Sequence, residues 1–241
     1  MSIWGKLAGA AAGLALGGPI GALVGALAGH LAVDRNLASD EDSAGQKQVA
    51  FTIGVIALGA KMAKADGVVT KDEVAAFRQV FKVPPGEEKN VARIFDLAKK
   101  DTAGYEAYAD QLAGLFSGER EMLQGVLDGL FHIASADGVL HPAEDAYLAS
   151  VATRFGITDA EYKYTRTRFA PKDKSSPYDI LGVTPDIGDE ALKKHYRKLI
   201  AENHPDRAMA RGMPEEFITI ATEKSAAINE AYEEIARERG L

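Results

Sequence analysis

From Leu7 to Val33 the chain carries no Asp, Glu, Lys or Arg, and such a run leaves few structures open. As one helix it would reach roughly 40 Å, enough to cross a hydrocarbon core of about 30 Å with tilt. Pro19 and the many glycines would damage a soluble helix, whereas membrane helices tolerate both. A cleaved signal peptide is the rival reading. The charge-poor amino end, with Lys6 alone, and the apolar length both speak against it. Residues 1–35 are therefore expected to form a single uncleaved transmembrane helix. Within the series from Gly5 to Gly29, glycines recur every fourth residue, at Gly9, Gly13, Gly17, Gly21 and Gly25 among them. On a helix they make a smooth stripe where two backbones approach closely, so the anchor is expected to self-associate, giving a homodimer. A glycine-rich, low-complexity membrane segment is the plainer alternative.

Flanking charge does not orient this anchor, because Lys6 lies on one side and Arg35 and Lys47 on the other. Residues 36–48 are polar and read as a linker. Residues 49–170 are helical throughout by pattern. Val55, Leu58 and Met62, then Val91, Ile94, Phe95 and Ala98, recur at helical spacing, and no stretch sustains strand alternation. The expected class is all-α, with a bundle of about seven helices in the middle of the chain.

The bundle contains an internal repeat. Ala65-Asp66-Gly67 and Ala136-Asp137-Gly138 each end an apolar helix, and a new helix starts a few residues later, with Glu73 and Glu144 inside its first turn. Each unit looks like the second half of a calcium loop. The first half is absent, since Met62, Lys64, Ile133 and Ser135 stand where oxygen ligands are needed. A weak divalent site using Asp66 with Glu73, or Asp137 with Glu144, is the functional reading. Turn and capping chemistry is the structural one.

Near the carboxyl end stands His204-Pro205-Asp206. Proline holds the preceding residue extended and ends the helix before it, which places an imidazole and a carboxylate on an exposed turn between two helices. The preceding helix, from about Asp189 to Asn203, has Leu192, Tyr196 and Leu199 on one face and Lys193, Lys194, Arg197 and Lys198 on the rest. With Pro177-Tyr178-Asp179-Ile180-Leu181-Gly182 upstream and Ile228-Asn229-Glu230-Ala231-Tyr232 downstream, residues 177–241 resemble the J-domain of DnaJ-type co-chaperones. The resemblance implies a DnaK-type chaperone as partner, met by His204, Pro205 and Asp206 and by Tyr196, Arg197 and Lys198, with Lys193 and Lys194 extending the basic face. Glu202 departs from the basic residue often found there. Residues 171–176, between Ala170 and Pro177, read as a hinge.

The doubled Ala-Asp-Gly units on a helical bundle resemble the TerB-like domains of tellurite-resistance proteins. An anchor, a TerB-like domain and a J-domain in that order resemble the DjlA-like co-chaperones of the bacterial inner membrane. The resemblance implies a single-pass protein with cytoplasmic carboxyl-terminal domains that stimulates ATP hydrolysis by a DnaK-type chaperone. The alternative is a membrane scaffold or metal-responsive stress protein in which the TerB-like domain is the active module. A net charge of −7 over 241 residues argues against nucleic acid as partner, and the absence of cysteine excludes disulfides and thiolate chemistry. No phosphate-binding loop or zinc-protease motif is present. Neither enzymatic activity nor a cofactor is expected.

Overall fold

The computed structural model describes residues 17–28, 43–65, 88–100, 104–169, 176–210, 213 and 215–241. Every regular element among them is a helix. In chain order they are α1 (Gly18–Ala28), α2 (Ser43–Ala65), α3 (Glu88–Lys100), α4 (Tyr105–Leu115), α5 (Arg120–Ala134), α6 (Pro142–Arg154) and α7 (Asp159–Arg168). After these come α8 (Pro177–Leu181), α9 (Asp189–Asn203), α10 (Pro205–Ala210) and α11 (Glu215–Arg239).

The bundle is built around α2. Its residues from Val49 to Ala60 carry no charge and are buried on every side, as a helix apolar all round must be. Helices α1, α3, α4, α5 and α6 all pack against it. This helix starts at Ser43, so the end of the polar stretch read as a linker is already helical.

The expected single anchor helix does not run unbroken through residues 17 and 18. Gly17 and Gly18 have φ of 54° and 61°, a left-handed conformation that glycine adopts without strain and that cannot continue a right-handed helix. Pro19 then suits the first turn of α1, where no N–H is needed. Gln111 of α4 closes this break. Its Oε1 accepts from the Ile20 N–H at 2.9 Å, and its Nε2 donates to the Gly17 carbonyl at 2.9 Å. Ile20 and Leu23 are buried in the bundle core. Among the described residues no helix is long and apolar enough to cross a membrane. Gly9 and Gly13 lie outside the described residues, and Gly17 stands before α1 rather than within a continuous stripe.

Among the described residues two hydrophobic cores result. The larger joins α1 to α6, and the smaller joins Leu181, Leu192 and Leu199 with Ile228, Ala231 and Ile235. Helix α11 belongs to both. Phe217 and Ile220 sit in the larger core, while Ile228, Ala231 and Ile235 sit in the smaller. Steps of three and four residues, with Lys224 at the middle position, keep the whole series on one helix face.

Candidate functional site

Helix α9 ends at His204, whose φ of −64° and ψ of 133° are extended, as a residue before proline requires. Pro205 does more than stop that helix. It opens α10, a short helix that carries Asp206 in its first turn. The Asp206 N–H donates to His204 Nδ1 at 3.2 Å, which leaves the imidazole proton on Nε2 when the ring is neutral. Asp206 Oδ2 lies 3.5 Å from the same Nδ1, and the two side chains are 49% and 75% exposed. Imidazole and carboxylate are thus held together and open to a partner.

The turn is fixed from behind. The Ser225 hydroxyl of α11 donates to the Asn203 carbonyl at 2.8 Å, and the Asn203 amide donates to the Leu199 carbonyl at 2.7 Å. Leu192 and Leu199 are buried against α11. The Tyr196 ring stacks on Tyr232 with centroids 3.9 Å apart, and its hydroxyl donates to Asn229 Oδ1 at 3.1 Å. Tyr196 is therefore half packing and half surface. Lys194, Arg197 and Lys198 are exposed and Lys193 half-exposed, in one basic band running toward the turn. Lys198 pairs with Glu202 at 3.8 Å and Lys193 with Glu190 at 3.9 Å, exposed contacts of little energetic weight.

At the other end of this small domain Arg239 does the bracing. It donates to the Ile187 and Pro185 carbonyls, each at 2.7 Å, and to Asp189 Oδ1 at 2.9 Å. Gly182 caps α8 with φ of 67°. A Cβ there would come within 2.8 Å of the Tyr164 ring of α7.

A seam between this domain and the bundle runs beside the turn. Asp128 of α5, with a side chain only 5% exposed, accepts from Arg168 Nη2 at 2.8 Å and from Lys224 Nζ at 3.0 Å. Gln124 Nε2 donates to the same carboxylate at 3.2 Å and to the Thr165 hydroxyl at 2.9 Å. Burial pushes the Asp128 carboxyl upward, but the adjacent Arg168 and Lys224 charges outweigh it and hold the group below its ordinary value. Burial, with Arg168 nearby, pulls Lys224 down to about 8 against the pull of Asp128. Above this cluster Met213 and Phe217 lie on α5 where Gly125 and Gly129 leave room. A Cβ at those glycines would come within 2.6 Å of Met213 Cε and 2.9 Å of Phe217 Cε1. At the edge nearest the turn, Arg207 reaches Glu121 at 3.4 Å.

The sequence reading does not single out Asp128, Lys224, Gly125 or Gly129. The signal was present, since two glycines one turn apart in a soluble amphipathic helix mark a close contact, and Asp128 interrupts an apolar face. Among the expected metal residues, Asp66 and Glu73 lie outside the described residues. Asp137 Oδ1 accepts from the Val139 N–H at 2.9 Å, and Glu144 Oε2 from the His141 N–H at 3.0 Å, both turn and capping bonds. Among the described residues no group of three or more metal-ligating side chains is assembled. Most of the expected hinge lies outside them as well.

An exposed histidine–aspartate pair after a basic helix, braced by the long helix α11, defines a J-domain. The chain matches the family models for the co-chaperone DjlA transmembrane domain over residues 1–59, tellurite resistance protein TerB over 52–167, and the DnaJ domain over 176–239. It is 29% identical to co-chaperone protein DjlA of Shewanella oneidensis, covering 82% of this chain and 81% of that one. It is 27% identical to the protein of that name from Coxiella burnetii, covering 75% and 74%, and 29% identical to that from Vibrio cholerae, covering 83% and 81%. The chain belongs to the DjlA-like J-domain co-chaperones. No solved structure matches it.

Proposed function

We infer that this protein stimulates ATP hydrolysis by a DnaK-type chaperone and recruits that chaperone to a membrane. The observation that carries the reading is the open His204–Asp206 pair at the end of a basic helix face. Complementary charge gathers an acidic partner from a distance, and the rigid turn then presents one imidazole and one carboxylate in fixed geometry. The chemistry belongs to the partner, and this chain supplies no group that turns over substrate. The uncharged run from Leu7 to Val33 and the match to the DjlA transmembrane domain support membrane attachment. A cytoplasmic position for the carboxyl-terminal domains follows from the partner's cytosolic place, and self-association through the anchor glycines completes the reading.

The test is single-turnover ATP hydrolysis by a purified DnaK-type chaperone with the full chain in detergent. Wild type should accelerate hydrolysis at least tenfold. His204→Gln and Asp206→Asn should each abolish the effect while leaving helicity and melting unchanged, because both side chains are surface groups. Equal stimulation by wild type and His204→Gln would remove the assignment.

A further inference from the structure

We propose that the TerB-like bundle is a gate on the J-domain. The seated arrangement seen here masks one side of the His-Pro-Asp turn, and the partner engages after the J-domain lifts from α5. This rests on the co-chaperone reading above and adds its regulation.

Geometry is the first support. His204 and Arg207 line one wall of a crevice whose opposite wall is Glu121 and Gln124 of α5. A specific protein interface covers about 800 Å² on each partner, a patch of roughly 16 Å radius. A footprint of that size centred on His204 must run into α5, because Arg207, three residues away, is already bonded to Glu121. Half-exposure of His204 therefore admits water and small groups but not a protein surface from that side.

Charge points the same way. The docking band is basic, with Lys193, Lys194, Arg197 and Lys198 facing out, so it suits an acidic partner. Where the bundle meets the turn it offers the carboxylate of Glu121. An acidic surface moving in along the basic band meets like charge at that edge.

The seam is also built to separate. It holds a buried charge cluster rather than apolar packing alone, and such clusters contribute less net stability than hydrophobic groups of the same shape. Among the described residues, Arg168 Nε and the Tyr164 hydroxyl are buried without a hydrogen-bond partner, so opening returns water to both.

The experiment uses the full chain, which has no native cysteine. Gly125→Cys and Met213→Cys, whose side chains meet directly, are joined to each other as a disulfide, and stimulation of a DnaK-type chaperone is measured before and after reduction. Neither position is in the tripeptide or the basic band. The closed, linked protein should stimulate at least tenfold less than the same sample after reduction. Equal stimulation in both states overturns the gate while leaving the co-chaperone reading intact. Failure of the reduced sample, together with failure of wild type, overturns both. A second variant guards against a misfolded pair. Glu121→Arg places two cations face to face at the exposed edge and should raise stimulation at sub-saturating concentration at least threefold, with helicity unchanged. Unchanged or lower stimulation by that variant counts against the gate.

Discussion

Lys224 is a residue at which the two domains meet. An amino group at that depth is tolerated because Asp128 is beside it, yet burial still pulls its pKa down to about 8. In the unfolded chain a lysine titrates near 10.4. Between about pH 8 and 10 the unfolded state therefore holds a proton that the folded state has released, and stability from this group rises with pH across that window. Asp128 has a dependence of the same sign in an acidic window. Its depressed pKa adds stability above the ordinary carboxylate range, which is lost only as pH falls through the folded value. Urea midpoints at pH 8 and pH 10, compared between wild type and Lys224→Met, isolate the first effect. The wild-type midpoint should gain on the variant as pH rises, and a constant difference would show that Lys224 does not titrate there.

Helix α11 shows what was legible at the level of elements. The apolar face of Leu192, Tyr196 and Leu199 calls for a partner helix, and the existence of that helix is legible in the Ile228–Tyr232 stretch. Its second attachment did not follow, because Phe217 and Ile220 look like the ordinary continuation of that same stripe. Periodicity reports that a face is buried and is silent about what buries it. Helices α4, α5 and α6 are legible for the same reason, since each buries an apolar face. At Gly17-Gly18 the pattern misled, because it records hydrophobicity and not backbone handedness. The double attachment of α11 has an energetic signature. Phe217 is 2% exposed, with its ring edge-on to Phe51 at 4.8 Å. Phe217→Ala should cost about 3–5 kcal/mol. Near- and far-ultraviolet circular dichroism should still report one coincident transition at a lower denaturant midpoint. Two separated transitions would mean that the Phe217 contact alone couples the two cores.

At the scale of the whole molecule the first question is which way it faces. Flanking charge does not decide it, so the proposed cytoplasmic placement rests on the partner. Single cysteines at Ser2 and Ser43, labelled in intact cells with an impermeant maleimide, should react at position 2 and stay silent at position 43. The reverse pattern would invert the topology. The helix shared by two cores has a further consequence, one of reciprocity. Suppose a ligand of the bundle binds the seated arrangement more tightly than the lifted one. It must then weaken the chaperone's hold on the J-domain by the same factor, and the chaperone must weaken that ligand's hold equally. No message need pass along a chain of residues. One helix, which cannot satisfy both arrangements at once, makes two binding events at opposite ends of the protein answer to a single equilibrium.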